Sequence, residues 1–257
     1  YGDSDYKIRW LHADYSNNDP GKHYKKTFIE ALHKFDQFVA ISKSVGEKFN
    51  EKYHFESKTD IIYNLIDKNN SKPTIKLEKE NYDFELVTVG RLHPIKGYDR
   101  VLRAINKLKN DGLFTNSVFK IVGDGPMREE LEKYISDNNL NDNVILYGAD
   151  NHPWNFLQNG DLFILSSYSE AFPTTVIESL LNHIPVLSVE YSSAREVLND
   201  KNSILVENSD DAIYKGLKDV ITDKHKLKKM KHNVINYDYD NTKIEKQLIE
   251  CLRCEDE

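Results

Sequence analysis

From residue 84 to residue 206 the sequence alternates short apolar runs with amphipathic stretches, and a chain patterned this way has few folds open to it. The apolar runs fall at 84–90, 118–123, 144–147, 162–165, 185–189 and 203–206. After the first, Tyr98, Val101, Leu102, Ile105 and Leu108 recur at helical spacing, and after the second so do Met127, Leu131, Tyr134 and Ile135. Short helices fit 154–158 and 194–198, and a longer one fits 210–221. Strands separated by helices pair in parallel, because a parallel neighbour can be reached only by a crossover. Six such strands predict a complete doubly wound, Rossmann-like domain over residues 83–236.

Residues 1–66 carry the same pattern on a smaller scale. Strands fit 7–12 (KIRWLH), 37–41 and 60–63, and a helix over 23–35 places Tyr24, Phe28, Ala31, Leu32 and Phe35 on one face. Ser42 is the expected N-cap of a second helix running to Tyr53. Three strands are fewer than the roughly five or six of a doubly wound sheet. The region therefore reads as the trailing part of an N-terminal Rossmann-like domain whose first strands precede Tyr1. Residues 67–82 lose the apolar period and fill with Lys, Asn and Glu, which predicts a linker. The segment 237–257 contains a last helix over 242–253, expected to pack back on the N-terminal part.

A formal charge of −7 argues against a nucleic-acid partner, which calls for a basic face. No apolar run approaches the ~18 residues of a membrane span, and no signal peptide opens the sequence, so a cytoplasmic location is expected. Cys251 and Cys254 spell CxxC once, and without a second pair they read as free thiols on a terminal helix. Lys224, Lys226, Lys228, Lys229 and Lys231, like the basic-aromatic stretch 22–35, read first as solvated faces. Peripheral contact with an anionic membrane surface is their functional alternative. Asp238-Tyr239-Asp240 spells DxD, a pattern that can hold a divalent metal, but its place before a helix makes capping the simpler role. No metal site is expected.

The chemistry concentrates in DLFILSSYSEAFPTTVIE, residues 161–178. This reads as a strand, a polar loop bearing Glu170, and a helix that begins near Pro173 and bears Glu178. Proline at the first helical position sacrifices no hydrogen bond, so Thr174, Thr175 and Val176 are expected to present free amides. A helix tip at the carboxyl end of a parallel strand attracts phosphate. Carboxylates only accept hydrogen bonds, which suits Glu170 and Glu178 to sugar and ribose hydroxyls on either side of it. GRLHPIKG, residues 90–97, follows the first strand of the domain and places Arg91 and Lys96 on the same carboxyl rim. Two cations beside a helix tip suit a pyrophosphate leaving group. GDGP, residues 123–126, follows the next strand, where Gly123 and Gly125 allow either a plain strand-to-helix turn or close ligand approach. His12 closes its own strand and so belongs to the carboxyl rim of the N-terminal half. A glycoside hydrolase could use Glu170 and Glu178 as acid and base, but hydrolysis gives no reason for the cations and the helix tip.

The order and spacing of GRLHPIKG, IVGDGP, the stretch from NVILYG to SSYSE, and Glu170-x7-Glu178 in EAFPTTVIE resemble family 4 of the retaining glycosyltransferases, which have the GT-B fold. The resemblance covers about 84–198 and extends backward through KIRWLHADYS and IIYNLID. It implies an α/β fold of GT-B type, with one complete C-terminal Rossmann-like domain and the trailing part of an N-terminal one. It further implies that Arg91 and Lys96 bind the donor diphosphate, that Glu170 meets the donor sugar, and that Glu178 meets the ribose. The amides of Phe172, Thr174 and Thr175 would cradle sugar and phosphate, Gly90, Gly123 and Gly125 would line the nucleotide, and His12 would face the donor sugar from the opposite domain. The implied reaction is metal-independent transfer, with retention, from a nucleotide sugar (a UDP-sugar is favoured) to a saccharide or glycolipid acceptor. The implied setting is surface polysaccharide or glycolipid synthesis at the inner face of the plasma membrane. Two departures stand out: Pro173 where the family often has glycine, and Tyr191-Ser192-Ser193 where it commonly has Gly-Gly. A non-catalytic nucleotide-sugar-binding module and a nucleotide-sugar 2-epimerase are the alternatives.

Overall fold

The computed structural model describes residues 6–13 and 21–253. Most of the loop expected after His12, and Cys254, lie outside the described residues. In chain order the elements are β1 (Ile8–Leu11), α1 (Gly21–Leu32), β2 (Gln37–Ala40), α2 (Lys43–Tyr53), β3 (Thr59–Ile61), β4 (Phe84–Val89), α3 (Tyr98–Asn110) and β5 (Ser117–Val122). They continue with α4 (Arg128–Asp137), β6 (Val144–Gly148), α5 (Trp154–Leu157), β7 (Leu162–Leu165), α6 (Thr174–Leu181) and β8 (Val186–Val189). The last are α7 (Ala194–Val197), β9 (Ser203–Val206), α8 (Asp210–Thr222), α9 (Lys224–Val234) and α10 (Asn241–Arg253).

Two parallel sheets result. The first has the order β1-β2-β3 and the second β6-β5-β4-β7-β8-β9. The second is the doubly wound, Rossmann-like arrangement that the alternation predicts. From β4 the chain moves outward through β5 and β6, then returns to β4's other side with β7. The loops after β4 and β7 therefore run to opposite faces and leave a crevice at their carboxyl ends.

The strands read as continuous apolar runs because both faces are covered. Leu86, Phe119, Ile121, Ile164 and Leu187 meet α3 and α8 through Val101, Leu102, Ile105, Ile213 and Leu217. Val87, Val122, Phe163 and Val186 meet Trp154, Leu157, Val176 and Leu180 on the other face. A polar cluster interrupts this core at β4 and β5. Lys120 Nζ lies 2.8 Å from Glu85 Oε2, with Glu85 wholly buried and Lys120 3% exposed, and Glu80 completes the cluster from the segment before β4.

Several elements depart from the sequence reading by a turn or less. Phe35 lies beyond α1, which ends at Leu32, and its ring turns back onto Phe38 at 6.0 Å. Residues 67–82 carry no helix or strand, yet they form a strap and not a loose tether. Asn155 Oδ1 accepts from the Thr74 and Ile75 amides, Gln158 bonds Leu77 and Ile75, and Asn182 donates to Ser71 O. Side chains of α5 and of the C-caps of α5 and α6 thus satisfy a backbone that has no ladder of its own.

The two sheets meet through α6 and α7. Phe172, Ile177 and Leu181 enter the apolar cluster of Leu11, Phe38, Ile41 and Phe49, and the Phe172 ring stacks on Tyr63 at 5.4 Å. Glu196 of α7 accepts from the amides of Lys43 (2.9 Å) and Ser44 (3.1 Å), so it caps α2 from the opposite sheet, and Tyr63 Oη also donates to it at 2.9 Å. The α10 helix lies on the first sheet, where Ile244 and Cys251 pack with Val39 and Ile62.

Candidate active site

The crevice at the carboxyl ends of β4 and β7 is walled by the two loops that sequence reasoning singles out. A 3₁₀ turn, Pro94–Lys96, ends the loop after β4, and Gly97 (φ +64°) then starts α3. Gly97 answers a double demand. Its left-handed φ suits glycine, and a Cβ there would stand 2.5 Å from Ser166 O in the loop after β7. The two loops are also tied by Tyr168 N to Ile95 O (2.8 Å) and Ser166 Oγ to Lys96 O (2.8 Å).

This contact brings Lys96 Nζ to 2.7 Å from Glu170 Oε1, which also accepts from Ser167 Oγ at 2.6 Å. The Glu170 side chain is only 11% exposed and Lys96 28%, so the pair sits in the crevice wall and not in open solvent. Arg91 belongs to the same loop, but its side chain is exposed and forms no ion pair among the described residues. Both cations thus lie in the loop at the carboxyl end of β4, and packing brings only Lys96 to the glutamate.

Helix α6 opens differently from expectation. Pro173 (φ −82°, ψ 94°) is extended and occupies the N-cap, not the first helical position, and the helix begins at Thr174. Val176 N donates to Pro173 O at 3.2 Å, so it is not one of the free amides. Thr174 and Thr175 remain at the tip of a helix that no side chain caps. Phe172 precedes them with its ring buried against Tyr63. Glu178 lies one turn further in, where Trp154 Nε1 donates to its Oε2 at 3.3 Å. Burial pushes the Glu178 carboxyl above the ordinary carboxylate value, and the Trp154 hydrogen bond only partly opposes it.

Gly90 directly follows β4, beside the Tyr98 hydroxyl. Gly123 and Gly125 have a role independent of any ligand. Cβ atoms there would come within 1.9 Å of Gly90 O and 2.5 Å of Leu92 O, so glycine lets the loop after β5 press against the loop after β4. His12 lies one residue past β1, not within it, and is exposed, with its ring stacked 6.3 Å from Trp10. The next residue, Ala13, packs against the cluster that holds Phe172.

The DxD residues are engaged otherwise: Asp238 pairs with Lys68, and Asp240 Oδ1 accepts from Thr242 N at 3.0 Å at the start of α10. Among the described residues no cluster of three or more His, Cys, Asp and Glu side chains is disposed to hold a metal, and no helix is long and apolar enough to cross a membrane.

Sequence reasoning missed Tyr191, the residue that follows β8 by two positions. Its hydroxyl is buried without a hydrogen-bond partner among the described residues. Burial raises its pKa, and the nearby carboxylates of Glu170, Glu190 and Glu196 add to the effect. The sequence signal was present, since Tyr191 opens the triplet that departs from the resembled family. Trp154 left no such signal, because its contact with Glu178 depends on how α5 packs on α6.

Residues 70–237 match the model of a family described as glycosyl transferases group 1. Over 224 residues the chain is 29% identical to the N-acetylgalactosamine-N,N'-diacetylbacillosaminyl-diphospho-undecaprenol 4-alpha-N-acetylgalactosaminyltransferase of Campylobacter jejuni, which covers 85% of this chain and 60% of that relative. The chain thus spans about three fifths of that relative's length. Among solved structures it resembles WaaG, a glycosyltransferase involved in lipopolysaccharide biosynthesis (TM-score 0.80, 15% identity, 96% of this chain and 75% of that one). It also resembles HepE of Anabaena in complex with UDP and glucose (TM-score 0.77, 20% identity, 95% and 70%). These likenesses place the fold in the GT-B class.

Proposed function

The chain belongs to the glycosyl transferases group 1 family, and from that premise we propose that it moves a sugar from a nucleotide-diphosphate donor, a UDP-sugar in first place, to a saccharide or lipid-linked acceptor with retention of anomeric configuration, as in family 4. The observation that carries this reading is the meeting of Lys96 and Glu170 at 2.7 Å beside the uncapped tip of α6. A cation and helix-tip amides beside an acceptor of hydroxyl hydrogens match the two parts of a sugar diphosphate, its phosphates and its hydroxylated ring.

In the proposed reaction the bond between the anomeric carbon and the β-phosphate oxygen breaks while the acceptor oxygen bonds that carbon on the same face. The acceptor's proton passes to the departing phosphate oxygen. Charge builds up on the diphosphate, where Lys96, Arg91 and the Thr174 and Thr175 amides offset it. Glu170 then accepts from donor-sugar hydroxyls and Glu178 from the ribose, while His12 faces the sugar from the first sheet. No metal is required in this scheme, because the cations and the helix tip do its work. The crevice residues would serve a cytoplasmic enzyme of surface polysaccharide or glycolipid assembly. Support for a lipid-linked acceptor comes from the Campylobacter relative, whose name gives a diphospho-undecaprenol substrate.

The test is a product assay on the Lys96→Ala and Arg91→Ala proteins with UDP- and GDP-sugars. Each change should lower transfer on the order of 10²-fold or more without lowering the melting temperature. Full activity in the Lys96→Ala protein would remove the diphosphate from this crevice. Nucleotide-sugar binding without product in the parent chain would favour the binding-module reading.

A further inference from the structure

The loop that carries Glu170 is held from behind by a pair of side chains that the reaction scheme does not use. Arg100 of α3 is 1% exposed, the one arginine buried outright among the described residues. Its Nε lies 2.8 Å from Asp210 Oδ1. Its Nη1 donates to Ser166 O at 3.2 Å and to Asn208 Oδ1 at 2.7 Å, and its guanidinium carbon lies 4.5 Å from the centroid of the Tyr168 ring. Asn208, fixed in orientation by Arg100, turns its amide nitrogen to the carbonyls of Ser167 (3.3 Å), Tyr168 (3.4 Å) and Glu190 (3.1 Å).

The consequence is geometric. Three successive carbonyls of the loop, at 166, 167 and 168, are taken up by one arginine and one asparagine, two residues before Glu170. The other side of the same loop bonds Ile95 and Lys96. A planar guanidinium with several fixed donors can hold this arrangement, whereas a lysine offers a single point charge. Asn208 also reaches the segment of Tyr191 through Glu190 O, so the loops after β7 and β8 share one anchor.

We propose that Arg100 and Asn208 are positioning residues for the donor sugar: through the backbone of 166–168 they fix the Glu170 carboxylate where the sugar, and not the nucleotide, meets the protein. This rests on the reading of Glu170 as the sugar contact. It assigns to two residues outside the crevice a share of the discrimination between a nucleotide and its sugar conjugate.

Calorimetry with UDP and GDP, each alone and as its hexose conjugate, tests this on the parent, Asn208→Ala, Arg100→Lys, Glu170→Gln and Asn208→Ala/Glu170→Gln proteins. Asn208 is half-buried in the turn between β9 and α8, so its alanine variant keeps the core and isolates the loop contacts. Asn208→Ala should bind the free nucleotide within about threefold of the parent and its conjugate roughly tenfold more weakly, and Arg100→Lys should follow the same pattern. The double variant should be no more than about threefold weaker for the conjugate than Glu170→Gln alone, because two changes acting through one contact do not add. An Asn208→Ala protein with unchanged conjugate affinity, or one that weakens nucleotide and conjugate equally, overturns the inference, as does full additivity with Glu170→Gln. Should Glu170→Gln itself leave conjugate binding intact, or the parent bind neither nucleotide, the underlying reading of the crevice falls first.

Discussion

Glu178 and Tyr191 are each buried at a cost, and those costs have measurable signs. Glu178 has its carboxyl raised by burial above the ordinary 4.5, so folding penalises its ionised form. Its contribution to stability is therefore present below that value and lost as pH rises through the folded value. The Glu178→Gln protein should melt no lower than the parent at pH 7 and show a flatter dependence of melting temperature on pH. Its affinity for a nucleotide should nonetheless fall, because the amide offers ribose only one acceptor oxygen. Tyr191 poses the same trade in neutral form. An unpartnered buried hydroxyl costs about 1–3 kcal/mol, so Tyr191→Phe should leave denaturant stability equal or raised. A clear fall would mean that the hydroxyl has a partner in solution.

At the scale of elements, the alternation of apolar runs was enough to place every strand of the second sheet, because strands covered on both faces cannot hide polar residues cheaply. The order of those strands also follows from ordinary crossover rules, and with it the meeting of the loops that hold Lys96 and Glu170. Other features were illegible for a common reason: they depend on which side chains face each other after packing. Glu85 and Lys120 look like interruptions of two apolar strands until the register sets them together on one face. Removing one member of such a buried pair leaves the other charge uncompensated, so Lys120→Met should cost about 3–5 kcal/mol by urea denaturation. The joint Glu85→Leu/Lys120→Met protein should recover much of that loss. Gly97→Ala is expected to cost on the order of 1–3 kcal/mol from its left-handed backbone alone, with the contact at Ser166 O adding to it. An alanine variant as stable as the parent would show that the two loops are not pressed together.

Across the whole molecule, the relation between the two sheets rests on the Phe172–Tyr63 stack and on Glu196, which caps α2 from a position 153 residues later in the sequence. No local pattern could announce that bond, since Glu196 belongs to a four-residue helix whose own needs do not call for it. Burial pushes the Tyr63 hydroxyl up to about 12, with the hydrogen bond to Glu196 contributing. Glu196→Ala should speed hydrogen exchange at the Lys43 and Ser44 amides while leaving the second sheet's exchange unchanged; unaltered exchange at both would show that the cap does not hold the sheets together. For the crevice after β4 and β7, the most direct measurement is a crystal structure of the chain bound to UDP. Diphosphate oxygens should lie within about 3 Å of the Thr174 and Thr175 amides and of Lys96 Nζ, with Glu178 on the ribose. A diphosphate seated away from the α6 tip, with Lys96 still on Glu170, would contradict that placement.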